Sequence, residues 1–158
     1  RRPVASCRGP LEFGPRALGG RSLLIDASDR APARELNRAL GRDERMPFGP
    51  LMTAEAAPDL LQGWNRRSED LARVMTVALP ATERLRRVAP AAVHRDGTAR
   101  AQVLTEDFDP DLHSVLRELP NQVCINTSLN LHGEPIVATA TQAARSASRA
   151  GASLLWLD

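Results

Sequence analysis

The stretch Gln122-Val-Cys-Ile-Asn-Thr-Ser-Leu-Asn130 joins a short apolar run to a cluster of small polar side chains. Val123, Cys124 and Ile125 suit a buried strand, and Asn126, Thr127, Ser128 and Asn130 then place amides and hydroxyls at its C-terminal end, where α/β sheets bind ligands. A plain strand-to-loop exit would use the same residue types. The punctuated segment Leu131-His-Gly-Glu-Pro-Ile-Val137 follows directly and favours a site. Near the start, Gly9 to Ser22 packs four glycines and two prolines around Arg16 and Arg21, the composition of a surface loop or of a turn that brings amides and a guanidinium fork to an anion. A third group is His94, Asp96 and Arg100, around the turn Arg95-Asp-Gly-Thr98.

All 21 basic residues are arginine. Any phosphate bound here is therefore held by guanidinium forks or backbone amides, because no ammonium is present. The net charge of +2 is too small to argue for nucleic acid.

These groups need elements to position them. Ser22 to Asp26 reads as a strand, and Ala31 to Leu40 as an amphipathic helix stopped by Gly41. Arg42 to Pro50, with two prolines, reads as a loop running into a strand at Leu51. Ala54 to Leu61 reads as a short helix broken near Pro58, Gly63 to Asp70 as a polar connection, and Ala72 to Leu79 as a strand ending at Pro80. Ala91 to His94 and Ala99 to Leu104 read as the arms of a hairpin, which would bring His94, Asp96 and Arg100 to one end of a sheet. Asp109 is expected to cap a helix through Leu119 with Leu112, Val115, Leu116 and Leu119 inward. Thr141 is expected to cap Gln142 to Ala150, and Ala152 to Leu157 to close the chain as a strand. Alternating strands and helices without repeats give an α/β or α+β domain.

At 158 residues the chain is about one domain, and its 42% hydrophobic and 25% charged residues are those of an ordinary soluble protein. It has no apolar run of membrane-spanning length and no opening signal peptide, so a soluble, cytoplasmic location is expected. Cys7 and Cys124 are spaced for neither a disulfide framework nor a metal knuckle, and both are expected to be reduced.

Five segments together carry a family resemblance: Glu12-Phe-Gly-Pro-Arg-Ala-Leu-Gly19, Pro47-Phe-Gly-Pro50, His94-Arg-Asp-Gly-Thr-Ala-Arg100, Asn126-Thr-Ser-Leu-Asn130 and Gly133-Glu-Pro-Ile-Val137. In this order, over nearly the whole chain, they resemble the C-terminal domain of NodU/CmcH-type O-carbamoyltransferases. The resemblance implies a YrdC-like fold of the α/β (α+β) class, a single domain with a twisted mixed sheet flanked by helices. It implies formation of carbamoyl-adenylate from carbamoyl phosphate and ATP, with Mg²⁺ accompanying the nucleotide. In that family a separate N-terminal metal-binding domain passes the carbamoyl group to a hydroxyl of a natural product or sugar. That domain is not part of this chain, so a partner in cis or in trans is expected. Carried over by motif, Arg16 and Arg100 would grip the phosphates, Ser128 and Asn130 would form the Ser-x-Asn half of a nucleotide signature beside Asn126, and His94 and Asp96 would shape or polarise the same pocket.

The chain departs from the family at three places. The Lys-x-Arg half of the signature falls on Leu40-Gly-Arg-Asp-Glu44, where Arg42 or Arg45 would have to substitute. Gly20 stands for the usual asparagine of Gly-Asn-Arg-Ser, and Gly49 for the alanine of Pro-Phe-Ala-Pro. Two other readings therefore stand beside the adenylating domain: a catalytically impaired nucleotide-binding structural or regulatory partner, and a YrdC-type RNA-binding module, which no aromatic platform supports.

Overall fold

A computed structural model of the chain describes residues 2–43 and 47–158. Its strands are β1 (Val4–Cys7), β2 (Arg21–Ile25), β3 (Gly49–Thr53), β4 (Leu79–Pro80), β5 (Thr98–Ala99), β6 (Gln102–Leu104), β7 (Val123–Ser128) and β8 (Leu154–Leu157). Its helices are α1 (Arg30–Ala39), α2 (Ala57–Leu60), α3 (Arg66–Ala72), α4 (Glu83–Val88), α5 (Pro110–Glu118) and α6 (Ala140–Arg149). Six strands form one mixed sheet in the order β6-β3-β7-β2-β1-β8, with β3–β6 and β1–β8 parallel and the other pairs antiparallel. This is the mixed sheet flanked by helices expected from the sequence. β4 and β5 pair separately.

Strand alternation sorts the core onto the two faces of the sheet. Leu23, Ile25, Met52, Val123 and Ile125 face a large cluster that includes Ala33 and Leu36 of α1 and Ala143 and Ala147 of α6. Leu51, Leu104 and Cys124 face Leu112 and Leu116 of α5 on the other side. β7 lies between β3 and β2, with Asn126 opposite Gly49 on one side and Leu24 on the other. Both cysteines are buried and free, and burial pushes the Cys124 thiol up to about 12. No helix of the described residues is long and apolar enough to cross a membrane.

Several expected elements differ, each for a local reason. Gly63 to Asp70 is not simply a connection, because Asn65 and Ser68 form a reciprocal capping box that starts α3. Of Ala72 to Leu79 only Leu79 is strand: Thr76 N–H reaches Leu71 O at 3.0 Å and Met75 N–H reaches Ala72 O at 3.2 Å, the paired bonds that close a helix on a left-handed residue, here Met75 at φ 58°. Pro58 does not break a helix but sits in the first turn of α2, where its missing N–H costs nothing. Ala91 to His94 is not a hairpin arm, since Pro90–Ala92 is a 3₁₀ turn and β5 pairs with β4. His113, not Val115, completes the buried stripe of α5: His113 is buried with Nε2 3.1 Å from Glu55 Oε2, and Val115 is exposed. Thr139, not Thr141, caps α6, with Gln142 returning the bond.

The end of α1 matters for the site. Asp29 caps its start, accepting from Ala31 N–H at 2.9 Å. At its end Arg42 N–H reaches Asn37 O at 2.9 Å and Gly41 N–H reaches Arg38 O at 3.1 Å, with Gly41 at φ 68°. This close turns the chain so that Arg42 leaves the helix at a fixed angle. A Cβ on Gly41 would meet nothing within 4 Å, so alanine there is opposed by backbone conformation alone. We predict that Gly41→Ala costs about 1 kcal/mol in urea unfolding and weakens phosphate binding by displacing Arg42. An unchanged phosphate affinity at that stability loss would separate the turn from the site.

Candidate functional site

At the C-terminal end of β7 lies a cavity of about 190 Å³, lined by Arg16, Arg42, Arg100, Asn126, Ser128 and Asn130 together with Thr127, Phe48 and Met75. Most of the residues singled out in the sequence thus meet in one place. Each arrives by a different route. Arg16 sits on the glycine-rich loop, which Glu12 clasps: its Oε1 accepts from Leu18 N–H at 2.7 Å and Gly20 N–H at 2.6 Å. Arg42 comes from the close of α1, donates to Thr127 Oγ1 at 2.9 Å, and lies over the Phe48 ring at 4.5 Å. Arg100 lies between β5 and β6.

Among the described residues lining this cavity there is no carboxylate, and none of these three arginines forms an ion pair with another described residue. Two of the three, Arg42 and Arg100, are held below their ordinary basicity. Burial, then the charges of Arg16 and Arg100, lower the Arg42 pKa, while burial and Arg16 lower that of Arg100. A guanidinium cannot relieve such repulsion by losing its proton at neutral pH. An anion relieves it, and a phosphate also matches the fork geometry.

Ser128 and Asn130 are joined to each other. Ser128 Oγ donates to Asn130 Oδ1 at 2.5 Å, while Asn130 Nδ2 donates to Glu134 O at 2.7 Å and Leu131 O at 3.2 Å. Asn130 thereby holds the turn after β7 as well as facing the cavity. Asn126 donates from Nδ2 to Ala17 O at 2.9 Å and Gln102 Oε1 at 2.6 Å, and Gln102 Nε2 donates to Leu18 O. These buried amides tie β6 and β7 to the arginine-bearing loop.

His94 and Asp96 lie elsewhere than expected. They line a neighbouring recess of about 510 Å³ with Arg34 and Asn37, sharing only Pro47 and Phe48 with the first cavity. Arg100 is therefore not grouped with them, although its charge reaches His94. Thr98 Oγ1 donates to Asp96 Oδ1 at 2.8 Å, so at 3.1 Å from His94 Nδ1 it accepts, which makes Nδ1 the protonated nitrogen and leaves Nε2 an acceptor. The Asp96 carboxyl is held below its usual range by the Thr98 backbone and hydroxyl bonds. Arg45 lies outside the described residues. Sequence reasoning missed Glu12 and Gln102; a polar Gln102 inside the apolar run Ala101 to Leu104 was the available signal for the second.

All residues, 1–158, match the family model described as Carbamoyltransferase C-terminus. Nodulation protein U of Azorhizobium caulinodans is 34% identical over 161 residues, covering 98% of this chain and 28% of that protein. The 3'-hydroxymethylcephem-O-carbamoyltransferase of Streptomyces clavuligerus is 34% identical over 145 residues, covering 86% of this chain and 26% of that protein. Among solved structures, full-length HypF in its phosphate- and nucleotide-bound form matches with a TM-score of 0.75 at 19% identity, over 99% of this chain and 23% of that one; this likeness is one of fold. The chain spans about a quarter of the length of the curated relatives it matches.

Two predictions follow from the charges. Removing one cation relieves repulsion, so Arg100→Gln should unfold at a higher temperature than the parent without phosphate. Phosphate at 100 times its Kd should stabilise the parent by about 2.7 kcal/mol and the variant far less; scanning calorimetry decides, and equal phosphate gains in both would remove Arg100 from the anion site. Separately, burial first and Arg100 second lower the His94 pKa below its ordinary 6.5, against the opposing pull of Asp96. The unfolded chain thus binds that proton more readily, so the stability from neutral His94 is complete above about pH 6.5 and is lost as pH falls below it. His94→Gln should flatten the denaturation midpoint between pH 7 and 5; an unaltered slope would assign the dependence to another group.

Proposed function

The chain belongs to the carbamoyltransferase C-terminal family, and on that footing we propose that its arginine-lined cavity binds carbamoyl phosphate and the phosphates of ATP and forms carbamoyl-adenylate. The observation that supports this most is the convergence of Arg16, Arg42 and Arg100 on one cavity whose described lining carries no acid. About 190 Å³ suits a small acyl phosphate, so a whole nucleoside triphosphate would extend beyond it.

The chemistry asks for charge and position more than for acids and bases. Atom balance requires that the phosphoryl group of carbamoyl phosphate leave with an oxygen from water, giving carbamate and inorganic phosphate. A carbamate oxygen then attacks the α-phosphorus of ATP, the α–β anhydride bond breaks, and pyrophosphate leaves. Guanidinium forks on the phosphate oxygens offset the charge that gathers in each displacement. Ser128, once its hydroxyl turns from Asn130, and the amides of the loop after β7 would add donors.

The cavity's donors do not fit a resident Mg²⁺. Its described lining offers no carboxylate, and no group of three or more His, Cys, Asp or Glu that could hold a metal occurs among the described residues. Mg²⁺ enters this proposal only as the counter-ion carried on the nucleotide phosphates, and no step runs through it. Transfer to an acceptor hydroxyl would belong to a partner domain, in cis or in trans, which would also keep water from the reactive adenylate. Leu11 and Phe13, exposed apolar side chains on the loop that carries Arg16, would suit such a neighbour.

One feature favours a second reading, nucleotide binding without turnover. Leu40 and Arg42 line the cavity where the family signature has Lys-x-Arg, and arginine does not replace lysine conservatively at a phosphate.

We predict release of pyrophosphate from ATP and Mg²⁺ when carbamoyl phosphate is added, without a carbamoylated acceptor from this chain alone. Arg16→Ala or Arg100→Ala should slow that release by about 100-fold or more, and Ser128→Ala or Asn130→Ala should weaken ATP binding. ATP binding with no release would establish the second reading, and release that survives both arginine changes would overturn the assigned roles.

A further inference from the structure

Asn126 is only 2% exposed and lines the arginine cavity. Its amide orientation is unambiguous. Ala17 O is a main-chain carbonyl and can only accept, so Nδ2 must face it. Gln102 must turn Oε1 toward Asn126, because its own Nε2 donates to another main-chain carbonyl, Leu18 O. Both amide protons of Asn126 are thus committed, and Oδ1 is left as a buried acceptor with no partner among the described residues. Arg100, which lines the same cavity, has in Nε a buried donor with no partner among the described residues. Buried polar groups of this kind are rare and costly to leave unpaired.

The two orphaned groups have opposite sense, which restricts what can satisfy both. A phosphate oxygen would accept from Arg100 Nε–H but would meet Asn126 Oδ1 acceptor to acceptor. A carbonyl and an amino group on one carbon offer an acceptor and a donor side by side. We propose that Arg100 and Asn126 select the carbamoyl end of carbamoyl phosphate, with Arg100 Nε–H donating to its C=O and Asn126 Oδ1 accepting from its NH₂. This rests on the reading of the cavity as an acyl phosphate site. Gln102 and the carbonyls of Ala17 and Leu18 are positioning groups that keep Oδ1 from turning away. Neither orphaned atom is open to solvent, so the ligand reaches them by displacing the rim, where Arg16 is exposed. Acetyl phosphate, with a methyl in place of the amino group, would satisfy Arg100 and leave Asn126 Oδ1 unpaired.

The test is calorimetric titration of the parent protein with carbamoyl phosphate, acetyl phosphate and inorganic phosphate, repeated with Asn126→Leu. The parent should bind carbamoyl phosphate about 10- to 100-fold more tightly than acetyl phosphate. In Asn126→Leu that ratio should fall to within about threefold, the lost discrimination being the single hydrogen bond removed. Equal binding of the two acyl phosphates by the parent overturns the selecting pair while leaving the acyl phosphate site in place. Failure of all three ligands to bind overturns the site itself. A ratio that survives in Asn126→Leu also overturns the pair, and should that variant not fold, the comparison within the parent protein decides.

Discussion

Three guanidiniums held around one cavity repel one another, and much of the surrounding structure keeps them there. Since none can shed its charge at neutral pH, position is the only variable left to the fold. Arg42 is fixed by the close of α1 on Gly41, by the Thr127 hydroxyl and by the face of Phe48. Arg16 is carried on a loop whose amides are gathered by the Glu12 carboxylate. Arg100 follows β5, whose pairing with β4 anchors it outside the main sheet. Arg8 shows the alternative: buried beneath Trp156, it bonds to Asp109, which also caps α5. The three cavity arginines have no ion pair with another described residue, an arrangement that an anion would complete.

The second constraint is the ladder of buried amides. Leu18 O, Gln102, Asn126 and Ala17 O link the loop to β6 and β7 through bonds that cannot be exchanged with water. A shift of the loop would break two of them at once, at a cost of about 1–3 kcal/mol for each buried group left unpaired. The position of Arg16 is thus coupled to the central strand although its side chain is exposed.

The departures from family pattern have local causes in this chain. A Cβ at Gly49 would sit 2.3 Å from the tip of Met75 and 2.8 Å from Arg100 O, so the methionine occupies the space an alanine would need. Met75 reaches that space because its left-handed conformation ends α3. Where a lysine is expected, Leu40 instead belongs to the core beneath α1.

The sequence by itself determined the element types with strong local signals and most of the residues that meet in the cavity. Gly41 after an apolar-periodic run, Asp109 before Pro110, and Val123 to Ile125 running into polar residues all act through nearest neighbours, and the structure has each of them. Motif order identified Arg16, Arg100, Ser128 and Asn130 because their spacing is a property of the chain. Only the tertiary structure decided what pairs with what. Ala72 to Leu79 looks like a strand, but its first residues close α3 on Met75 and only Leu79 finds a strand partner, in β5. His94 and Asp96 stand only a few positions from Arg100, yet the turn through Thr98 sends them into a different recess. The unpaired acceptor of Asn126 exists only because Gln102, from β6, and Ala17, from the loop, take both of its protons, and contacts across such distances in sequence are set by packing.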